Sequence, residues 1–446
     1  MDVVREREFS TGEFVLFGGT RDFSVMDPED REYILRTNWK NYTKNVQGVV
    51  GFQEMFAEIL GQGIFAVDGD MWQDHRKVAA HLFSANGLRS KMERSFTEHG
   101  SKLTELLAAT AGTGRVVDWQ DVMAGLTFET ICQIAFGVDP NALEPGMRGV
   151  KIDFLVQFDR LQSLCALRFL IPAPVWKTMR WLNVGSERTI RQDAAAISAY
   201  VKNIIGERRA SGAWAENDDL LSMYIQTARA SGKEYIEEDD YLTDAILNFM
   251  IAGRDTTSST LTNVFKLLAT DRGVEAKMIE ELERVVGRGN TVSWDHVRSL
   301  PYCGAVFNEV LRLYPPVAGD MRICNADDVL PSGLKVPAQS RMLVPNAAIG
   351  RDYHLWREPD AFNPARWLSD DSTQPTRRVD EYMHPVFWGG PRLCLGKDMA
   401  RLEVLSVAWA VLQRFRVDVL PHSERKVNGP VQFYEQGLPV RVFKRE

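Results

Sequence analysis

Residues 387–396 read FWGGPRLCLG, so Cys394 sits between an arginine and a glycine, behind a glycine-rich turn and directly ahead of a helix-like run. A cysteine that merely fills a core needs none of those neighbours. One cysteine cannot close a zinc tetrahedron without three further ligands, and this loop supplies none. A haem iron takes a single axial protein ligand, because the porphyrin contributes four nitrogens. On that reading Gly389, Gly390 and Gly396 let the backbone approach a flat macrocycle and adopt φ > 0. Phe387 shields the sulfur from water, and Arg392 neutralises a propionate. Backbone N–H groups freed by the turn can bond to the sulfur and tune it. A plain turn before a helix accounts for the glycines, but not for the aromatic, the arginine and the cysteine at this spacing.

The second chemical stretch is LTDAILNFMIAGRDTTSSTLTNVF, residues 242–265. Leu242, Ile246, Phe249, Gly253, Thr256, Thr260 and Val264 fall on one helical face. Midway along, that face changes from large apolar groups to glycine and hydroxyls. Hydroxyls there can bond back to carbonyls and bend the helix, and a kink opens a groove for a small ligand and water. Activating dioxygen requires protons delivered without flooding the site, which casts Thr256 as the donor and Asp255 as the relay. Taken alone, the small residues fit a helix–helix packing notch equally well. Beside the Cys394 loop, the catalytic reading is preferred.

The pattern F-x-x-G-x-R-x-C-x-G carried by Phe387, Gly390, Arg392, Cys394 and Gly396 resembles the haem-binding signature of the cytochrome P-450 superfamily. AGRDTT, residues 252–257, resembles that family's oxygen-activation motif. The resemblance implies the P-450 fold, haem held by Cys394 as proximal thiolate, and Asp255 and Thr256 as catalytic residues. It assigns Trp72 and Arg76 (W-x-x-x-R) to a propionate, and Arg322 to another. Unaided, that i,i+4 pair fits a helix packed on the core with an exposed arginine. Glu309 and Arg312 in NEVLRLYPP read unaided as a solvated surface pair. The resemblance joins them to Arg366 in a buried network that frames the cysteine loop, with Ala365 where the family carries an acid. His75, His81 and His384 read as ordinary residues.

LGQGIFAVDGDMWQDHRKVAAHLFS and the Arg254 inside AGRDTT are similar to the eukaryotic branch that hydroxylates the terminal carbons of long-chain fatty acids. The resemblance implies a monooxygenase inserting one atom of O2 into a C–H bond of a lipophilic substrate. Terpenoid or xenobiotic substrates stay open, as do a reductase-independent peroxygenase or hydroperoxide isomerase and a non-catalytic haem sensor or electron carrier. Phe249, Val317, Ala318 and the Gln432–Phe433 turn are the expected substrate walls. No GxGxxG follows a strand, so electrons are expected from a separate NADPH-dependent reductase, with Lys77, Lys397 and Arg401 as its docking patch. Members of that branch begin with a membrane anchor and a proline-rich hinge, and neither stands in this sequence.

Positioning these residues falls to elements legible along the chain. Its 446 residues are 45% hydrophobic, and no Pro/Gly/Ser-rich linker divides them, which predicts one large helical haem domain, residues 1–446, mainly α with small β-sheets. Short strands are expected around GEFVLFGG and TRDFSVM, then a helix with Asp27 as N-cap and Pro28 first. Residues 52–314 read as helical, with amphipathic stretches at 70–83, 86–108, 118–136, 189–209 and 237–272. Strand-like runs occupy 322–345, a helix follows Cys394, and RVDVL and PVRVF close as strands. A net charge of −7 argues against nucleic acid. Five cysteines without CxxC spacing indicate a reducing compartment, four of them as core filler. No apolar run approaches the roughly 18 residues of a membrane span. The expectation is an intracellular monomer, cytoplasmic as written, or at the surface of the endoplasmic reticulum if an anchor has been lost; membrane association stays open.

Overall fold

The computed structural model describes residues 11–15, 21–84, 86–217, 219–231, 238–369, 376–377, 379–423, 425–427 and 429–445. Its longer helices are α1 (Gly69–Ser84), α2 (Asn86–Thr110), α3 (Trp119–Phe136), α4 (Asp153–Leu167), α5 (Ala173–Leu182), α6 (Gly185–Ser211), α7 (Leu220–Ser231), α8 (Asp239–Thr270), α9 (Arg272–Val285), α10 (Pro301–Leu313) and α11 (Lys397–Leu412). Strands are β1 (Gly12–Val15), β2 (Arg21–Ser24), β3 (Tyr42–Thr43), β4 (Val117–Asp118), β5 (Asp320–Cys324), β6 (Asp328–Val329), β7 (Lys335–Val336), β8 (Arg341–Val344), β9 (Phe415–Val419), β10 (Arg425–Val427), β11 (Gln432–Tyr434) and β12 (Pro439–Lys444). The mainly helical architecture with small sheets is as expected. Part of the first expected strand, residues 16–19, lies outside the described residues.

Helix ends follow local chemistry. Asp27 caps Pro28–Glu32 by accepting from the amides of Glu29 and Asp30, satisfying donors that a helix start leaves orphaned. Asp118 does the same for α3, and Gly137 ends that helix in the left-handed region. The expected helical stretch over 237–272 is the single helix α8, which ends where Asp271 turns extended and caps α9 through the amides of Gly273 and Val274.

The centre of the molecule is α8, packed against α3, α6, α10 and α11. Helix α3 is buried around nearly its whole circumference, as befits an element enclosed by others. The five-stranded sheet runs β1-β2-β8-β5-β3. Pairing of Tyr42 with Cys324 and Thr43 with Ile323 brings the segment after β3 beside β5. In the sheet β4-β12-β9, Val440 pairs with both Val117 and Val419, tying the strand near the C-terminus to the start of α3. One large apolar core fills the helical region and a smaller one backs the five-stranded sheet.

Candidate functional site

Cys394 is exposed, whereas Cys132, Cys165, Cys303 and Cys324 are buried. Its side chain opens onto a cavity of about 300 Å3, so the sulfur is reachable by a ligand. The loop carrying it is fixed from several sides. The Cys394 amide donates to the Phe387 carbonyl at 2.8 Å, and the Gly390 amide to Glu381 at 3.2 Å. Gly390 has φ +62°, and a Cβ there would lie 2.2 Å from the Leu35 carbonyl oxygen, so only glycine fits. Not every glycine matches that expectation. Gly389 and Gly396 have negative φ, and the additional left-handed residue is Trp388, at φ +65°. Gly389 is required by space, since a Cβ would meet the Tyr382 ring at 2.7 Å.

Burial pushes the Cys394 thiol upward, while N–H groups of Gly396 and Lys397 and the charges of Arg76 and Lys397 pull toward the thiolate. Phe387 stacks on Phe307 with centroids 6.1 Å apart, and the Lys397 ammonium lies 5.7 Å from its ring centroid. The N–H groups of Gly396 and Lys397 are thus directed at the sulfur, and Phe387 lines the same cavity.

One end of the cavity is cationic. Lys44, Arg76, Arg322 and Arg392 line it together with Trp72. Arg392 pairs with Asp68 at 2.5 Å and stacks over Trp72 at 4.5 Å. Arg322 bonds Asp320 at 2.9 Å and lies over Trp388 at 4.3 Å. Arg76 donates to the Leu393 carbonyl at 2.6 Å, one residue from the cysteine. Four cations against the carboxylates of Asp320 and Asp68 leave two positive charges in excess, which suits a group bearing two carboxylates. Burial and the charge of Arg322 lower Lys44 to about 8, and the same two causes bring Arg392 down to about 10. The buried Arg392 Nε has no hydrogen-bond partner among the described residues, which is costly unless a ligand supplies one. An exposed thiol, a cationic corner matched to a dianion and an orphaned guanidinium N–H all fit haem. Lys44 was not legible in the sequence, because only the β3–β5 pairing brings NYTKN beside Arg322.

The opposite wall is α8, which presents Phe249, Ala252, Gly253, Thr256 and Thr260. The helix is continuous from Asp239 to Thr270. Thr256 Oγ1 donates back to the Ala252 carbonyl at 2.6 Å and Thr260 Oγ1 to that of Thr256 at 2.8 Å, the back-bonding anticipated for this stretch. Gly253 serves the packing reading as well: a Cβ there would lie 2.6 Å from Ile131 Cδ1 of α3.

Asp255 does not join Thr256. It lines a second cavity, of about 520 Å3, with Asp121, Lys151, Asp159 and Gln432. Its carboxylate accepts from Gln162 Nε2 at 2.9 Å and lies 3.0 Å from Arg254. Burial raises its pKa, opposed chiefly by the Arg254 charge. Adjacent residues on a helix point about 100° apart, and here that separation puts them in different cavities. Gln432 and Phe433, expected in a turn, lie in strand β11 and line this second cavity rather than the one at Cys394, whereas Val317 and Phe249 line the latter.

The Glu309–Arg312 pair is fully buried, contrary to its unaided reading. Arg312 holds Glu309 through two bonds of 2.8 Å, and Arg366 and Trp367 bond the same carboxylate at 3.0 and 2.8 Å. Arg401, expected on a docking patch, instead turns inward to the carbonyls of Val297 and Leu300; Lys77 and Lys397 are exposed.

A family model described as Cytochrome P-450 matches residues 12–434. Among curated proteins, the chain is 34% identical over 450 residues to cytochrome P-450 94A2 of Vicia sativa, covering 96% of this chain and 83% of that one. It is 35% identical over 443 residues to cytochrome P-450 94B3 of Arabidopsis thaliana, covering 96% and 84%. Among solved structures it is similar to the cytochrome P-450DA haem domain, with a TM-score of 0.83 and 20% identity over 100% of this chain and 92% of that one.

Proposed function

The chain belongs to the cytochrome P-450 family, and from that premise we propose that it oxidises a long-chain fatty acid at or near its terminal carbon in the cavity between Cys394 and α8. The chain is a haem-dependent monooxygenase, taking O2, a substrate and electrons from a redox partner. The observation that carries the reading is that the one exposed cysteine opens onto a cavity whose facing wall is apolar around Thr256. The bound haem supplies the reductive activation of O2.

The chain's own residues do the rest. Cys394 Sγ would hold the haem iron, its thiolate favoured by the Gly396 and Lys397 N–H groups. Arg322, Arg392, Arg76 and Lys44 would hold its two carboxylates, with Trp72 under Arg392. Phe249, Leu311 and Val317 exclude water from the reacting carbon. Thr256 Oγ1 holds a proton at the cavity wall, parked on the Ala252 carbonyl. Asp255 can pass a proton to it only after releasing Gln162 and Arg254, so relay requires that carboxylate to turn from the second cavity to the first. Phe387, Gly390 and Gly396 shape the ligand loop. Residues 1–446 act as one haem domain, working as a monomer with a separate NADPH-dependent reductase that docks near Lys77 and Lys397.

Among the described residues no helix is long and apolar enough to cross a membrane. A surface-lying mode is nevertheless supported by Phe169, Leu170, Val175, Trp181, Leu182 and Val184, all exposed around α5. We assign that patch to a lipid surface.

The test is a spectral titration of the ferric protein with dodecanoic acid. A saturable shift of the Soret band to shorter wavelength is expected, and a haem spectrum that no fatty acid moves would sink the substrate assignment while leaving the family. Cys394→Ser should lose the thiolate-type spectrum of the reduced carbonyl adduct. Thr256→Ala should retain substrate binding yet yield roughly tenfold less hydroxylated product per NADPH, with electrons diverted to peroxide. Unchanged coupling would remove Thr256 from the proton path.

A further inference from the structure

The turn over residues 60–65 carries Ile64 and Phe65 into the wall of the Cys394 cavity, and it is held there by side chains that touch neither Cys394 nor the cationic corner. Asn248 of α8, completely buried, accepts from the Phe65 amide at 3.0 Å and donates to the Leu60 carbonyl at 2.9 Å. One helical turn earlier, Asp244 accepts from the Gln62 amide at 2.8 Å. The turn presses onto these two side chains: a Cβ on Gly61 would sit 2.1 Å from the Asp244 carboxylate, and one on Gly63 2.1 Å from the Asn248 amide. Backbone groups that could have bonded to water are thus committed to one face of α8.

A third tie comes from α1. His75 Nε2 lies 2.9 Å from the Gln62 carbonyl, and its Nδ1 lies 3.1 Å from the Tyr241 hydroxyl. A carbonyl only accepts, so Nε2 carries the hydrogen and Nδ1 receives one from Tyr241. Burial keeps the imidazole neutral, with its pKa lowered to about 4, so the tautomer is fixed by its partners. Tyr241, Asp244 and Asn248 stand at i, i+3 and i+7, one stripe of the helix that also presents Phe249 and Thr256 to the cavity.

We propose that Tyr241, Asp244 and Asn248, with His75, form a clamp that sets which carbon of a chain-shaped lipophilic substrate is oxidised, by fixing Ile64 and Phe65 relative to Thr256. These are positioning residues; they reach the substrate only through the two walls they hold. Helix α8 thereby supplies both the wall where oxygen is handled and the register of the roof opposite. The inference rests on the lipophilic-substrate reading above.

The experiment compares wild type, Asn248→Ala and Tyr241→Phe, each checked for an intact reduced carbonyl spectrum. Tyr241→Phe removes only one hydroxyl and keeps the proposal testable if Asn248→Ala does not fold. With dodecanoic acid, reductase and NADPH, the ratio of the favoured product position to its neighbour should fall about fivefold, the order of one lost hydrogen bond. KM should move more than kcat. In an Ile64→Ala/Phe65→Ala background the same substitutions should add nothing, because the walls they position are gone. Folded variants with the wild-type product ratio would overturn the clamp, as would full additivity with the wall variants. If wild type does not oxidise dodecanoic acid, the fatty-acid reading fails separately. The clamp is then read from binding of 1-dodecylimidazole relative to imidazole: a preference about fivefold weaker in the variants supports it, and an unchanged preference overturns it.

Discussion

Glu403 on α11 shows how one side chain can hold a proton that the fold depends on. It is completely buried, and Thr130 Oγ1 lies 2.7 Å from its Oε1. The same hydroxyl also lies 3.0 Å from the Thr127 carbonyl one turn back on α3. Burial raises its pKa to about 8, against the opposing pull of the Thr130 hydroxyl, so the acid is neutral at neutral pH. At low pH the acid is protonated in both the folded and the unfolded chain. As pH rises from about 4.3 toward about 8, the unfolded chain releases the proton while the fold retains it, so stability falls throughout that window. Above it the full cost stands. Glu403→Gln keeps the shape and an oxygen that accepts from Thr130 but never ionises. Urea midpoints should therefore separate as pH rises, the variant unfolding later at about pH 9 and nearly level with wild type at about pH 4. Parallel curves would mean that Glu403 is ionised in the fold.

At the scale of elements, α8 carries most of what was readable and also the main surprise. Its apolar-to-hydroxyl face was legible because a helix repeats every 3.6 residues, and that face does meet the cavity. The Cys394 loop was legible because its chemistry is compressed into ten consecutive residues. The separation of Asp255 from Thr256 was not, since it depends on Gln162 from α4 and Asp159 from the same helix arriving on the far side. Lys44 and the Asn248 clamp escaped for the same reason: each acts across a sequence gap that only the assembled sheet or turn closes. The Glu309–Arg312 pair failed when read locally, because an i,i+3 spacing says nothing of burial. Gly253 joins both kinds of information. It is part of the recognisable stretch, yet its immediate duty is to admit Ile131, which itself lines the cavity. Gly253→Ala should therefore cost about 1–3 kcal/mol through overpacking and shrink the space left for substrate. Ile131→Val in the same chain should return part of both losses, because the two positions are in contact. Thermal midpoints and the dodecanoic acid dissociation constant report the two effects, and strictly additive behaviour would show that Ile131 is not what Gly253 accommodates.

At the scale of the molecule, the distribution of exposed apolar groups is uneven. Leu170 and Trp181 are 81% and 82% exposed, and Phe169, Leu182 and Val184 flank them within the α4–α6 connection. Nearby, Lys177 and Arg180 are paired with Glu54 and Glu58, so the patch is closer to neutral than its basic residues suggest. The chain as a whole carries −7, which opposes approach to an anionic surface at long range. Contact with lipid would therefore draw on buried apolar area more than on charge. The protein should sediment with vesicles of phosphatidylcholine alone, and adding anionic lipid should not tighten binding appreciably. Leu170→Ser with Trp181→Ser should weaken binding roughly a hundredfold or more, since burying each large side chain contributes on the order of 1.5–3 kcal/mol, while both residues are too exposed for the fold to need them. Equal sedimentation of wild type and variant would detach this patch from any membrane role. Binding that appears only with anionic lipid and vanishes in salt would transfer the role to Arg188 and Arg191.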